Sequence, residues 1–328
     1  MSKAFSVIIP SFNRAYLLPM TLDSVLAQNL APSEIIVVDD GSTDNTDEVV
    51  NQYRSHVRLI KIDNSGVAAA RHEGVMASSC DFIAFCDSDD VWRADHLQTM
   101  DSVLDSDTVR FAFSNFQYIK DDEWTADDRF SHAPAGYWRF SDNRISEDVA
   151  IVATPLYPHL FEFQPIFPSC TAMARSFYDQ VGGYKKEFGF LPSEDLEFTL
   201  RCTVGGSVGI VFKPTVGQRI HARNHSALMK GSHFAKVARQ YHGETTILKY
   251  SRDHHQINPA WRESLDREII KRSSIGFDLA FASGEFSLAQ LFSENIPLHS
   301  RSLKFHVKKT IMSLPEQLAM RLTHKLVS

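Results

Sequence analysis

Cysteine is scarce: four residues, Cys80, Cys86, Cys170 and Cys202, are scattered through 328 positions, and none forms a Cys-x-x-Cys pair. That spacing suits neither a disulfide framework nor a thiolate metal site, and buried thiols in a reducing compartment are expected. No apolar run approaches the roughly 18–20 residues that span a bilayer. The short apolar run over residues 5–9 meets Pro10 and then Ser11, Asn13 and Arg14, unlike a secretory leader, so a cytoplasmic protein is expected. Positive charge is also lacking: 34 Lys and Arg stand against 40 Asp and Glu, a formal charge of −6. Such a chain offers no field for a nucleic-acid backbone, and no nucleic-acid partner is expected. Neither Gly-x-Gly-x-x-Gly nor a Gly-Lys-Ser/Thr loop occurs, which disfavours dinucleotide-dependent dehydrogenases and P-loop ATPases.

What is present is an ordinary globular composition, 43 % hydrophobic and 23 % charged, which excludes disorder as the main state. The length suits one large α/β domain or a domain with a smaller extension. Charge is unevenly placed. Residues 300–328 carry Arg301, Lys304, Lys308, Lys309, Arg321 and Lys325 against Glu316 alone, so an acidic body ends in a basic tail.

Residues 5–10, 34–38, 57–62 and 81–86 are β-branched or aromatic runs of strand length, each ending in a polar cluster. Between them, residues 16–28, 43–53 and 67–78 have the length of crossover helices. This alternation predicts an α/β fold with a mostly parallel sheet and helices on both faces, binding ligands beyond the carboxyl ends of its strands. A fifth strand is expected over residues 110–119, and the acidic, aromatic residues 120–148 read as a long loop or lid. Another strand is expected over 167–175, a turn at Gly182-Gly183 and a helix over 194–204. Beyond residue 226 the pattern becomes helical, roughly 232–252, 259–283 and 300–324.

The unusual residues gather at the strand ends. Pro10-Ser11-Phe12-Asn13-Arg14 follows the first strand and Asp39-Asp40-Gly41-Ser42-Thr43-Asp44 the second, a pairing that suits either a nucleoside pocket or a turn with a helix N-cap. Gly66 opens a small-residue helix in which Arg71 is either a solvated arginine or a planar fork for a diphosphate. Phe85-Cys86-Asp87-Ser88-Asp89-Asp90 ends the fourth strand, and strand periodicity puts Asp87 and Asp89 on one side, where both can meet a divalent cation.

Taken together, Val7-Ile8-Ile9-Pro10-Ser11-Phe12-Asn13-Arg14, Ile35-Ile36-Val37-Val38-Asp39-Asp40-Gly41-Ser42-Thr43-Asp44, the run from Gly66 to Arg71 and Phe85 to Asp90 resemble the nucleotide-sugar-binding half of the family-2 glycosyltransferases, which have the GT-A fold. The resemblance implies that Pro10 and Ser11 line the nucleoside pocket, with Asn13, Arg14, Gly66 and Ser88 in the donor site. By it Asp39 pairs with uracil, Arg71 contacts the base or diphosphate, Asp87 holds the ribose and sugar, and Asp89 ligates Mn²⁺ or Mg²⁺. Further on, Ser169 to Arg175, Val181-Gly182-Gly183-Tyr184 and Pro192-Ser193-Glu194-Asp195-Leu196 look like the approach to the family's catalytic helix. There the resemblance makes Asp195 the general base and Glu194 its orienting neighbour, while Ser193 also reads as a plain N-cap. Arg219-Ile220-His221 resembles the family's Arg-x-His segment, placing His221 in the metal shell or on the diphosphate.

The expected organisation is a GT-A catalytic domain over 1–226, with a nucleotide-sugar half (1–115) and an acceptor half (116–226), and a helical C-terminal extension over 227–328. The expected activity is inverting transfer from a nucleoside-diphosphate sugar, a UDP-sugar by the resemblance, to a hydroxyl of a saccharide or lipid-linked saccharide in bacterial-type surface polysaccharide synthesis. A nucleotidyltransferase and a catalytically silent sugar-nucleotide binder are the alternatives. Leu303, Val307, Ile311, Leu314 and Leu318 recur near helical spacing beside Lys304, Lys308 and Lys309. That pattern suits peripheral contact with the inner membrane face, or packing against the catalytic domain or a second copy.

Overall fold

A computed structural model describes residues 2–104, 107–141, 144–221 and 231–327. It divides into two compact units: Met1–Phe190 with Glu194–Ile220, and Leu191–Ser193 with His221–Ser328. The expected boundary at residue 226 lies outside the described residues.

In the first unit β1 (Phe5–Ser11), β2 (Glu34–Asp39), β3 (Arg58–Lys61) and β4 (Phe82–Phe85) are parallel, connected through α1 (Leu18–Leu26), α2 (Thr46–Gln52) and α3 (Val67–Ala77). All of β1 is buried, as its unbroken apolar run requires of a strand covered on both faces. Past β4 the sheet becomes mixed. It runs on through β9 (Thr171–Ala174), β6 (Val109–Lys120), β10 (Ser207–Arg219) and β5 (Val91–Trp92), with β7 (Glu123–Asp128) on β6 and β8 (Val149–Val152) on β10, ten strands among the described residues. Helices α4 (His96–Val103), α5 (Arg175–Val181) and α6 (Glu194–Cys202) complete this unit.

Two departures from expectation have local causes. Asp121 and Asp122 both adopt positive φ, 50° and 63°, so Lys120 pairs with Glu123 across a two-residue hairpin. Short polar side chains tolerate that conformation, and it matches strand twist. The described residues of 120–148 are therefore not one long loop: the chain folds back as β7 and two 3-10 turns, Phe130–His132 and Tyr137–Ser141. Strand β10 went unforeseen because Gly209, Pro214 and Gly217 interrupt its apolar pattern; its pairing with β6 shifts register beside Pro214, as a bulge allows.

One buried group makes this unit sensitive to acid. The His96 ring is fully buried, lies 4.3 Å from the Trp92 ring, and places Nδ1 2.8 Å from Thr215 Oγ1. Burial holds the imidazole neutral, with its pKa lowered from 6.5 to about 3. Because the folded value lies below the unfolded one, the stability this neutral ring carries is complete above pH 6.5 and falls away as pH drops toward 3. Denaturant titrations should show wild type losing about 1.4 kcal/mol per pH unit relative to His96→Gln across that window. Parallel pH dependence of the two proteins would show that His96 takes up its proton without unfolding.

The second unit is helical: α7 (His233–His254), α8 (Pro259–Ala282), α9 (Phe286–Glu294), α10 (Leu303–Met312) and α11 (Glu316–Val327). Side-chain caps start three of them, with Ser232, Asn258 and Ser302 accepting from the backbone N–H of Ala235, Trp261 and Phe305. Phe277, Phe281, Phe292, Phe305 and Ile311 form its core. The helix expected over 300–324 is broken between α10 and α11, where Pro315 lacks an N–H and restricts Leu314. The Leu303-to-Leu318 stripe consequently splits: Ile311 and Leu314 join the core, while Leu303, at 81 % exposure, and Val307 stay outside. Lys308 donates to Asp278 Oδ1 at 2.7 Å and Lys309 to Ser293 Oγ at 2.8 Å. No described helix is long and apolar enough to cross a membrane.

Candidate active site

Parallel pairing brings the ends of β1, β2 and β4 to one edge of the sheet. Ser11 is in register with Asp39, and Cys86 N–H donates to the Ile8 carbonyl at 3.0 Å. Asn13, in the left-handed region at φ 53°, latches the second strand end to the first. Its side-chain oxygen accepts from Thr43 N–H (2.8 Å) and Asp44 N–H (3.2 Å), and its own N–H donates to Ser42 Oγ (2.8 Å). Asp39 accepts from Ser42 N–H at 2.9 Å and lines a cavity of about 570 Å³ with Gly41, Ser42, Lys61, Ile62 and Asp63. The neighbouring Asp40 turns away, accepting from Ser65 N–H (2.7 Å) and Gly66 N–H (2.9 Å). Burial raises its pKa against those two hydrogen bonds. Gly66 has φ 88°, and a Cβ there would sit 2.5 Å from the Gly189 carbonyl, so only glycine fits this close approach.

The fourth strand end is braced from three elements. Ser169 Oγ accepts from Asp87 N–H (2.9 Å) and donates to Asp90 Oδ2 (2.6 Å), while Arg219 N–H donates to Asp90 Oδ1 (3.2 Å). Burial, then the charges of Asp89 and Asp87, push the Asp90 carboxyl well above its ordinary value. Asp89 pairs with Arg14 Nε at 3.4 Å, and its backbone carbonyl accepts from Arg219 Nε at 3.3 Å. Arg219 also pairs with Asp122. Asp90 is thus the structural acid of this cluster, and Asp87 and Asp89 keep 24 % and 17 % of their side chains exposed.

Arg71 joins this edge to α6. Its side chain is 3 % exposed and donates to Asp87 Oδ1 and to Glu194 Oε1, both at 2.7 Å. Burial opposes its charge, but Asp87, Tyr184 and Glu194 together hold it ionised. At the start of α6, burial and then the Glu194 charge push the Asp195 carboxyl up to about 7, with Arg71 opposing. Asp87 is raised in the same way, by burial first, with Arg71 pulling back and Asp89 adding to the rise. A raised carboxylate at a helix start is a proton acceptor matched to neutral pH. Ser193 is not the N-cap expected there, since its φ of 67° lies outside the extended region an N-cap adopts.

The sequence pattern described as Glycosyl transferase family 2 matches residues 6–155, which contain all three donor-side strand ends. Over this segment the chain is similar to glycosyl transferase family 2. Among curated relatives, the putative teichuronic acid biosynthesis glycosyltransferase TuaG of Bacillus subtilis is 37 % identical over 134 residues, 39 % of this chain and 52 % of that protein. The Escherichia coli UDP-Glc:alpha-D-GlcNAc-diphosphoundecaprenol beta-1,3-glucosyltransferase WfgD is 35 % identical over 116 residues, 35 % of this chain and 46 % of that protein. The chain thus spans about half the length of these relatives. The fold extends further. S. aureus TarS 1-349, solved in complex with UDP-GlcNAc, matches 98 % of this chain and 90 % of its own at TM-score 0.65 and 16 % identity. The mannosyltransferase PcManGT of Pyrobaculum calidifontis, solved with GDP-Man and Mn²⁺, matches 98 % and 87 % at TM-score 0.56 and 15 % identity. The fold is the GT-A arrangement, α/β with C-terminal helices.

Pro10, Ser11, Asn13, Arg14, Asp39, Gly66, Asp87, Ser88 and Asp89 lie at one sheet edge, and Arg71 ties Glu194, and with it the start of α6, to that edge. His221 follows β10 by two residues and belongs to the second unit; His225 lies outside the described residues. Sequence reading left Asp40, Tyr184, Ser169 and Arg219 without individual roles, although each stands inside a quoted motif. Only the three-dimensional pairing separates them from their neighbours. Aromatic residues between β7 and β9 pack inward: Tyr137 donates to the Phe163 carbonyl at 3.1 Å, Trp138 to the Phe130 carbonyl at 3.2 Å, and Tyr157 is fully buried. Trp124 carries the Arg93 guanidinium 4.1 Å from its ring centre. These aromatic groups take part in the packing of the first unit.

Proposed function

We propose that this chain is an inverting glycosyltransferase acting on a nucleoside-diphosphate sugar, with a UDP-sugar as donor. The observation that carries the reading is the Arg71 bridge, which sets the Asp195 base beside the carboxylates of the donor strand end. Asp39, at the wall of its cavity, accepts from a nucleobase N–H, with Pro10 and Ser11 beside it on β1. Asp87 holds the ribose and sugar. Asp195 takes the proton of the acceptor hydroxyl as its oxygen attacks the anomeric carbon from the face opposite the diphosphate. The bond to the diphosphate oxygen breaks with its electron pair staying on the leaving group, and the sugar's configuration inverts. Glu194, held by Arg71, keeps the first turn of α6 in place.

The donor set also suits a divalent cation. Asp87 and Asp89 are hard oxygen donors two residues apart at the end of β4, each with part of its side chain exposed. Among the described residues no three His, Cys, Asp or Glu side chains converge as a ready-made metal cluster. Mn²⁺ or Mg²⁺ would therefore be held by Asp89 and Asp87 together with phosphate oxygens and water. When bound, it would stabilise negative charge developing on the leaving diphosphate.

The names of the relatives, in teichuronic acid and diphosphoundecaprenol-linked synthesis, support a saccharide or lipid-linked saccharide acceptor in surface polysaccharide synthesis. The same reading puts the enzyme in the cytoplasm, with its basic C-terminal helices toward the inner membrane face where such an acceptor resides. In this reading residues 1–226 form the catalytic domain. A panel of nucleotide sugars incubated with Mn²⁺, with and without saccharide acceptors, tests the proposal: one donor should be consumed with release of its nucleoside diphosphate. Consumption of none, while nucleoside triphosphates are cleaved, would favour a nucleotidyltransferase.

A further inference from the structure

The role of Arg71 can be taken further, resting on the glycosyltransferase reading above. This side chain begins about one turn into α3, yet both of its terminal nitrogens are engaged by carboxylates from two other elements, Asp87 after β4 and Glu194 on α6. Its Cζ lies 5.2 Å from the centre of the Tyr184 ring, which stacks on Phe198 of α6 at 4.1 Å. Nε is buried and makes no hydrogen bond. Each terminal nitrogen commits one of its two N–H groups to a carboxylate, and with the side chain 3 % exposed little of the guanidinium is open to diphosphate oxygens.

The segment leading to α6 is fastened to α3 twice more. Gly189 lies against Gly66, where no Cβ would fit, and Lys186 pairs with Glu73 at 2.5 Å. Of the three ties, Arg71 alone ends on the turn that carries Asp195. The geometry points to Arg71 as a positioning residue: by clamping Glu194 to Asp87 it fixes the first turn of α6 against the donor strand end, and so sets where Asp195 meets the acceptor hydroxyl. Arg71 then acts on the rate of transfer and not on donor affinity.

The test uses the full chain with the donor found in the nucleotide-sugar panel, and reads UDP affinity by calorimetry alongside donor KM and kcat. Arg71→Gln should lower kcat by about 10²-fold, the scale of an ångström-level misplacement, with UDP affinity and donor KM held within about threefold. Arg71→Lys, which keeps the charge but not the fork, should recover part of the lost kcat. Adding Glu194→Gln to Arg71→Gln should cost little more, because the two residues act as one unit. If Arg71→Gln does not fold, Arg71→Lys and Glu194→Gln carry the test: each should lower kcat at constant KM, and their combination should be less than additive. Weakened UDP binding or a raised donor KM with kcat unchanged would make Arg71 a donor ligand and overturn the inference. Equal loss in every variant with no split between KM and kcat would reduce it to a fold contact and overturn it too. A wild type that consumes no nucleotide sugar overturns the underlying function, and this inference with it.

Discussion

Asp195→Asn is expected to abolish sugar transfer and to leave UDP binding near that of wild type. Asn keeps the size and place of the side chain but cannot accept the hydroxyl proton, and a positioned general base contributes roughly 10²–10⁴-fold to rate. The wild-type pH profile should show the same group. With Asp195 pushed up to about 7 by burial and by Glu194, transfer falls as pH drops below that value, because the base is then already protonated. Stability moves the other way. The folded pKa lies above the unfolded value of 3.8, so the contribution of this carboxyl to stability is complete below 3.8 and is lost as pH rises through about 7. Asn never ionises, and Asp195→Asn should therefore melt at a higher temperature than wild type at pH 8 and at nearly the same temperature at pH 4. An Asp195→Asn enzyme that transfers sugar at the wild-type rate would remove this residue from the mechanism.

Chelation and Asp89→Asn should have converging effects. Excess EDTA lowers wild-type transfer by about 10²–10³-fold, the scale of losing one strong electrostatic stabiliser of a developing anion, and added Mn²⁺ restores it. Asp89→Asn starts near that lowered rate and responds little to chelator, and Mn²⁺ titration followed by electron paramagnetic resonance should show weaker binding. Asp89 suits this part because Asp90 is drawn inward by Ser169 and the Arg219 N–H, while Asp89 remains at the edge beside Arg14. Full activity in excess chelator would leave the Asp195 chemistry standing and end the case for the metal.

Much of the segment from β1 to β4 was legible in the sequence because its elements are locally consistent. Short β-branched runs such as Val7-Ile8-Ile9 favour covered strands, and each is followed by polar residues that stop it. β1, β2, β3 and β4 and their crossover helices fall within a few residues of expectation. The later strands were less legible, since they depend on partners far away in the chain. β10 contains two glycines and a proline and becomes a strand because β6 and β8 pair with it. α9 is likewise a matter of tertiary packing: it is a nine-residue segment between two longer helical patterns, and its inward residues Ala289 and Phe292 show their purpose only against the core they join.

The sequence by itself determined the order of strand ends, the residue types placed on them and the helix that starts with Glu194 and Asp195. Those follow from backbone periodicity and local chemistry, which act over a few residues. The tertiary structure alone decided which acid does what: that Asp40 ties a turn, that Asp90 is buried in a hydrogen-bonded brace, that Asp195 sits near neutrality, and that Arg71 spans 123 positions of sequence to hold Glu194. The charge state and partners of a carboxylate depend on burial and on the groups packed around it, and sequence spacing contains neither.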